Sequence, residues 1–331
     1  MLYHIVHTTN YNYDQPILLE PQTIRLRSRT DGTQSLHDFS LKIFPQPIGT
    51  SHNIDLEGNS VIRVWFDKNP TKKFEITATS KVETYRTNPF DYLLEPWANK
   101  LPIDYPLSLA SKLQPYLQTQ GKYASPDPVA VALAQEIWLA TDGQTFSFLL
   151  ELNKRIHENC EYQIREKGDP LPAGITWKQK QGSCRDMAVL FIETCRAVGL
   201  AARFVSGYQQ GDPDWEKRYL HAWAEVYLPG AGWRGYDPTQ GLAVGDRYIA
   251  LAASAYPSDT TPIAGNFSGA GVKSKMHFHL DLITLDENPA PSTILLEHNG
   301  KEIEEICNPK IPKDPHQSPL LNTINSWQKN S

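Results

Sequence analysis

The 331-residue chain has little cysteine and no excess of basic charge, and each shortage excludes a class of protein. Four cysteines are too few for a disulfide scaffold at this length. None of them forms a C-x-x-C pair, so we expect no structural zinc site. With 32 Lys and Arg against 37 Asp and Glu, the net charge is −5, which argues against a nucleic-acid partner.

Long apolar runs are also missing. The uninterrupted apolar segments are short, such as residues 187–192, whereas a membrane helix needs about 20 apolar residues. The N-terminal residues lack the basic flank and the apolar block of a signal peptide. We therefore expect a soluble, cytoplasmic protein with no membrane partner, and the sequence indicates no oligomeric state.

The hydrophobic pattern divides the chain into four regions. Residues 1–95 hold short alternating strands separated by Gly, Pro and Asn turns, which is typical of an antiparallel β-sandwich. Residues 96–150 combine a Pro-rich crossing segment with helices, and residues 151–287 hold the helix and strands of a predicted catalytic core. Residues 288–331, which contain several prolines, are interpreted as a C-terminal strand and tail.

The most informative segment is residues 181–200. Apolar residues from Met187 to Val198 recur at spacings of three and four, which predicts a helix buried on most of its surface. Ser183 fits the N-cap of this helix, so Cys184 falls at or just before the first turn. There, unpaired backbone N–H groups and the helix dipole stabilise a thiolate, and the same N–H groups can donate to an oxyanion.

A thiolate nucleophile needs a base, and the base needs an orienting group. His221 opens a predicted strand, and Asp237 closes a predicted return strand after the turn at residues 229–232. A hairpin brings these two ends together. A four-residue turn would place the two side chains on opposite faces, whereas a three- or five-residue turn or a bulge would place them on one face.

Four segments in this order resemble the core of the bacterial transglutaminase-like family, which includes proteins assigned as cysteine proteases. These segments are residues 182–186, 201–208, 221–227 and 232–239. Residues 3–13 are similar to the opening of the β domain that precedes this core in the family. The resemblance implies an α+β fold in which an N-terminal antiparallel β-sandwich precedes a papain-like, transglutaminase-like core. In that core, the helix bearing the cysteine packs on an antiparallel sheet.

The resemblance also implies a catalytic triad, with Cys184 as nucleophile, His221 as base and Asp237 as orienting residue. It implies no metal and no cofactor. The activity that it favours is a cysteine-dependent amide hydrolase, of protease or isopeptidase type, which forms an acyl-thioester with a peptide or protein substrate. The alternatives are a protein-glutamine transglutaminase, in which an amine accepts the acyl group, and a non-catalytic peptide-binding module on the same fold.

A second oxyanion donor is expected just upstream of Cys184, because papain-like folds place a Gln or an aromatic donor there. The candidates are Gln179, Gln181, Trp177 and Tyr162, and the sequence does not choose among them.

Two tryptophans, Trp223 and Trp233, are candidates for the walls of the cleft, although core packing explains them better. His277, His279 and Asp281 share one face of a predicted strand, a spacing that can bind a metal. Exposure on the outer face of the sheet explains that pattern more simply, so we expect no metal site.

Overall fold

The computed structural model describes residues 1–118, 127–165, 168–211 and 218–285, and these residues belong to one compact unit. The fold is mixed α+β, as the sequence predicts. An antiparallel β region comes first, and helices packed on a second antiparallel sheet follow it. The predicted C-terminal strand and tail, together with Cys307, lie outside the described residues.

The first strands are those that the alternating pattern predicts. Along β1 (Leu2–Ile24), buried residues alternate with more exposed ones over the first half, because successive side chains of a strand point to opposite faces. The next strands are β2 (Gln34–Phe44), β3 (Gly49–Ile54), β4 (Ser60–Trp65) and β5 (Thr71–Thr84). A turn between β3 and β4 holds Gly58 at a φ of 77°, a conformation that glycine adopts without strain.

β1 is the central strand of this region and changes partners along its length. Its first half pairs with β5 and β14 (Ser274–Thr284), and its second half pairs with β4 and β13 (Ile263–Ser268). We call β1–β5 together with β13 and β14 the β region. Residues from both sides of the helical core therefore build it. The domain boundaries at residues 95 and 150 stay predictions.

The described part of the chain contains five α-helices. They are α1 (Leu107–Leu117), α2 (Pro128–Ala140), α3 (Thr145–Asn159), α4 (Ala173–Gln179) and α5 (Cys184–Ala197). The carboxylate of Asp127 accepts a hydrogen bond from the N–H of Val129 at 2.9 Å and caps α2. Pro128 fits the first position of that helix because its missing N–H would have no partner there.

The core sheet has the strand order β11-β10-β9-β8-β12. Its strands are β8 (Ala202–Gln209), β9 (Leu220–Leu228), β10 (Gly232–Asp237), β11 (Leu242–Ala243) and β12 (Tyr248–Ser254). α5 packs against this sheet, where its buried Leu190 and Phe191 share a core with Ala224 and Val226 of β9. Two short parallel strands, β6 (Glu161–Tyr162) and β7 (Gln181–Gly182), lie just upstream of α5 in the sequence.

Candidate active site

Helix α5 begins at Cys184. The buried carboxylate of Asp186, in the first turn, stabilises this end of the helix. Asp186 accepts hydrogen bonds from the N–H and the hydroxyl of Ser183, at 2.8 and 2.7 Å. It also accepts one from the N–H of Leu171 at 2.7 Å, and Arg165 lies 3.6 Å away. Ser183 is thus the residue before the helix, as predicted, and Cys184 is held at the positive end of the helix dipole.

The turn of the β9–β10 hairpin has one of the lengths that place His221 and Asp237 on the same face of the sheet. Gly232 pairs with Leu228, so the turn has three residues, 229–231. Since Tyr236 pairs with Ala224, the next residue, Asp237, lies diagonally across from His221 on the same face of the sheet. His221 Nε2 and Asp237 Oδ2 are 2.7 Å apart, and both side chains are buried.

Cys184 contacts the same imidazole ring. Its thiol lies close enough to contribute to the raised pKa of His221. Because Asp237 accepts from Nε2, the nitrogen that remains for the sulfur is Nδ1. Cys184 is partly exposed, and both Cys184 and His221 line a cavity of about 1450 Å³. The structure therefore brings the three predicted triad residues together, with the sulfur facing open space.

Asp237 is completely buried and is held by three donors. Its Oδ2 accepts from His221 and from the hydroxyl of Tyr248, the latter at 2.9 Å, while its Oδ1 accepts from the N–H of Thr239 at 2.9 Å. Burial alone would raise the pKa of this carboxyl. The charge of His221 and the hydrogen bonds outweigh burial and lower the pKa, so the carboxylate is ionised at neutral pH.

The electrostatics of His221 follow from the same contacts. Burial would lower the pKa of its imidazole, but the charge of Asp237, the hydrogen bond to it and the contact with Cys184 raise the pKa above the usual range. A ring with a raised pKa readily holds a proton taken from the thiol. The geometry thus suits His221 to act as a base, with its imidazolium stabilised by a buried carboxylate.

Of the four predicted oxyanion donors, all of which are described, Tyr162 lines the cavity. β6 pairs Tyr162 with Gly182, two residues before the nucleophile candidate. Burial, with a smaller contribution from the charge of Cys184, raises the pKa of Tyr162 to about 12, so its hydroxyl stays a donor at neutral pH. Tyr162 therefore stays a candidate oxyanion donor, beside the backbone N–H groups at the start of α5.

The other three candidates lie outside the cavity wall. Gln179 is exposed at the end of α4, and the side-chain oxygen of Gln181 accepts from Gln163 at 2.8 Å. The ring of Trp177 is covered by the ammonium group of Lys180, whose nitrogen is 3.0 Å from the ring centroid. None of these three side chains lines the cavity, and a role for any of them as oxyanion donor stays a prediction.

The two tryptophans expected at the cleft wall do not line the cavity either. Trp223 is 1% exposed and packs in a small cluster next to His221 on the same face of the sheet, with the centroids of these two rings 6.4 Å apart. Trp233 packs edge-on against Tyr116 at 4.9 Å, with the guanidinium of Arg203 over its ring. Both rings are thus engaged in packing contacts, and neither lines the cavity.

The opposite side of the cavity belongs to the β region. His7, Thr9 and Tyr11 of β1, and Met276 and Phe278 of β14, contribute to its lining. No sequence pattern predicted this part of the cavity wall, since these residues are far from the triad along the chain. The helical core and the β region therefore enclose the cavity together.

The described residues contain no cluster of three or more His, Cys, Asp or Glu side chains suited to hold a metal ion. His279 and Asp281 contact each other at 3.0 Å on the exposed face of β14. In the described ranges, every helix is too short or too polar to cross a membrane.

Comparison with known families identifies both parts of the chain. A model of the bacterial transglutaminase-like N-terminal region matches residues 3–83, and a model of the transglutaminase-like superfamily matches residues 131–238. The second range contains Cys184, His221 and Asp237.

The relatives that match over most of the chain come from mycobacteria. Uncharacterized proteins of Mycobacterium bovis and Mycobacterium tuberculosis are each 28% identical over 306 residues, covering 86% of this chain and 93% of theirs. A protein-glutamine gamma-glutamyltransferase of Pseudomonas aeruginosa is 31% identical over 127 residues, which cover 35% of this chain and 19% of that protein.

A solved structure shares the fold over nearly the whole length. It is that of a "putative cysteine protease" from Cytophaga hutchinsonii, with a TM-score of 0.62 at 20% identity, covering 87% of this chain and 93% of that one. The chain therefore carries a bacterial transglutaminase-like N-terminal region followed by a transglutaminase-like core.

Proposed function

We propose that this protein is a cysteine-dependent amide hydrolase of protease or isopeptidase type, which acts on a peptide or protein substrate. The observation that carries the proposal is that one imidazole, His221, bonds the Asp237 carboxylate through Nε2 and contacts Cys184 on its other side, at the edge of a large cavity. A chain that only bound peptides would have no need of all three groups in this arrangement.

The reaction follows from the roles of these groups. The thiolate of Cys184 attacks the amide carbonyl carbon, and the oxyanion is met by N–H groups at the start of α5 and by the Tyr162 hydroxyl. The His221 imidazolium then gives its proton to the departing nitrogen, the C–N bond breaks, and an acyl-thioester remains on Cys184. In the second half, His221 removes a proton from water, the resulting hydroxide attacks the thioester, and the C–S bond breaks to release the acid.

The alternative is acyl transfer to an amine. Its first half is identical, and only the acceptor of the acyl group differs. The name of the Pseudomonas aeruginosa relative, a protein-glutamine gamma-glutamyltransferase, motivates this alternative, although the match covers only 35% of this chain. A dry cleft would favour transfer over hydrolysis. The cavity here is wide and lined in part by charged side chains such as Arg165 and Asp169, which favours access of water.

The first experiment is alkylation by iodoacetamide across pH, followed by peptide mass spectrometry. At pH 6 we expect Cys184 to react about tenfold faster than an ordinary thiol, and we expect His221→Ala to abolish the difference. Cys160 and Cys195 are buried and serve as controls within the same molecule, because both should stay inert. A Cys184 that reacts no faster than a free thiol would overturn the proposal and leave the peptide-binding alternative.

A second experiment separates hydrolysis from transfer. The enzyme is acylated with a p-nitrophenyl ester of a blocked glutamine, and the products are measured with and without a primary amine. Free acid as the main product in both cases supports the hydrolase. An amide as the main product with the amine present would establish the transglutaminase alternative, and Cys184→Ala is the control for uncatalysed reaction.

A cytoplasmic location also stays a prediction.

A further inference from the structure

One residue that the triad does not include makes direct contact with it. Tyr248, the first residue of β12, places its hydroxyl oxygen 2.9 Å from Asp237 Oδ2. The same carboxylate oxygen accepts the hydrogen bond from His221 Nε2 at 2.7 Å. Two donors therefore share one oxygen, and the tyrosine competes directly with the histidine for its negative charge.

The direction of the Tyr248 hydroxyl is set by a further side chain. The amide nitrogen of Gln209, at the end of β8, donates to the Tyr248 oxygen at 3.2 Å. An oxygen that accepts from Gln209 directs its own proton toward Asp237. The ring is 6% exposed and packs edge-on against Trp223, with centroids 5.4 Å apart. Burial, followed by the charge of Asp237, raises the pKa of Tyr248, so the hydroxyl remains protonated.

We propose that Tyr248, oriented by Gln209, is a positioning residue for the triad: it fixes the carboxylate of Asp237 and limits its hold on the His221 imidazolium. This inference rests on the proposed function. It adds two side chains to the series Cys184–His221–Asp237. These side chains lie on β12 and β8, which are separated from β10 by β9 in the core sheet. A carboxylate tethered at both oxygens, by Tyr248 and by the N–H of Thr239, keeps the imidazole in one orientation.

The charged and titratable groups around the pair are few. Cys184 faces His221 from α5, and Tyr162 faces the site from β6. Arg247 precedes Tyr248 in the chain and contributes a positive charge near its hydroxyl. Arg185 and Tyr219 line the same cavity and act on Tyr162 through their charges. Any change in the pH profile that follows removal of the Tyr248 hydroxyl is therefore read against all of these groups.

The test is the variant Tyr248→Phe, studied by the rate of Cys184 alkylation as a function of pH, a readout that needs no substrate. Without the second donor, Oδ2 directs its full charge at His221. The limb of the profile at high pH, where the imidazolium loses its proton, should move upward by about half a pH unit. Turnover of an acyl ester should fall about tenfold, because protonated His221 releases its proton less readily and Asp237 is less firmly held.

The matched control is Tyr208→Phe, which removes another buried tyrosine hydroxyl, on β8, that bonds His7 rather than the triad. It should leave the alkylation profile unchanged. Gln209→Leu provides a second test should Tyr248→Phe fold poorly, and should move the same limb in the same direction by a smaller amount. If the alkylation profile of Tyr248→Phe superimposes on that of the wild type, the inference is overturned. It is also overturned if Tyr248→Phe and Tyr208→Phe have the same profile and lose the same amount of turnover. Either outcome leaves the triad intact. A wild-type Cys184 without His221-dependent reactivity overturns both.

Discussion

Oδ2 of Asp186 accepts hydrogen bonds from both the N–H and the hydroxyl of Ser183. Cys184 lies between these two residues in the sequence. The other carboxylate oxygen accepts from Leu171, which ties the start of α5 to the segment before α4. The location of the sulfur therefore depends on a carboxylate that takes no part in the chemistry.

Replacing this carboxylate tests how much it contributes to the free energy of unfolding. Asp186→Asn removes the charge and turns an N–H₂ group toward donors that are already in place. We expect the free energy of unfolding to fall by about 3 kcal/mol, since hydrogen bonds to a buried charge contribute most of that amount and the donors would be left unpaired. Urea denaturation at pH 7 measures the change.

The control for this variant is Asp142→Asn. Asp142 pairs with Lys100 at 3.1 Å on the surface, where both side chains are largely exposed. Solvent screens such a pair, so we expect no measurable change in stability. Equal effects of the two substitutions would contradict the role assigned to Asp186.

His7 should make the stability of the protein depend on pH below neutrality. Burial lowers the pKa of this imidazole to about 4, and its Nδ1 lies 2.9 Å from the Tyr208 hydroxyl. The unfolded chain binds a proton at His7 near pH 6.5, whereas the folded chain does so near pH 4. Stability is therefore present above pH 6.5 and lost as pH falls toward 4, by about 3 kcal/mol.

The measurement for His7 is urea denaturation between pH 7 and pH 4 for the wild type and for His7→Gln. The variant should be less stable at pH 7 but should lose less stability on acidification. Contributions from all other ionisable groups are common to both proteins and drop out of the difference. Parallel curves for the two proteins would show that His7 does not titrate in this way.

Gly207 occupies a position where no side chain fits. It pairs with His221 on one neighbouring strand and with Ala250 on the other. A Cβ atom there would lie 2.2 Å from the carbonyl oxygen of Ile249 and 2.6 Å from the ring of Trp223. Gly207→Ala should therefore displace β12, lower the free energy of unfolding by about 1–3 kcal/mol and slow the alkylation of Cys184.

Thermal denaturation and the alkylation rate together test the Gly207 prediction. Gly32→Ala is the matched control, because a Cβ atom at Gly32 would meet nothing within 4 Å. It should change neither property. Normal stability of Gly207→Ala would mean that the strand accommodates the methyl group without displacement of β12.

The parts of the site that could be predicted are those set by local pattern. The three- and four-residue spacing of apolar residues predicted α5 and the place of Cys184 at its start. Alternation on two strands limited how His221 and Asp237 could meet, and the observed turn is one of those that alternation allowed. These relations lie within one helix or one hairpin, where geometry follows from the sequence almost directly.

The parts that could not be predicted depend on strands that meet from distant points of the chain. Tyr248 reaches Asp237 because β12 lies beside β8, and no periodicity marks that neighbour relation. The same holds for the cavity wall formed by His7 and Phe278, which come together only when β1 pairs with β14. For Trp223, the local pattern does not distinguish burial next to a histidine from exposure in a cleft, because both place the ring on the same face of the strand.

The pairing of β1 with β14 also sets the order in which the protein can be built. Tyr3 pairs with Thr284, so β1 leaves the ribosome long before its partner strand β14 is synthesised. Until then, one edge of β1 is an open template for other chains. The helices and core sheet can form in the interval, and the β region closes around them afterwards. Nascent chains that stop before residue 263 should accordingly show a protease-sensitive β1.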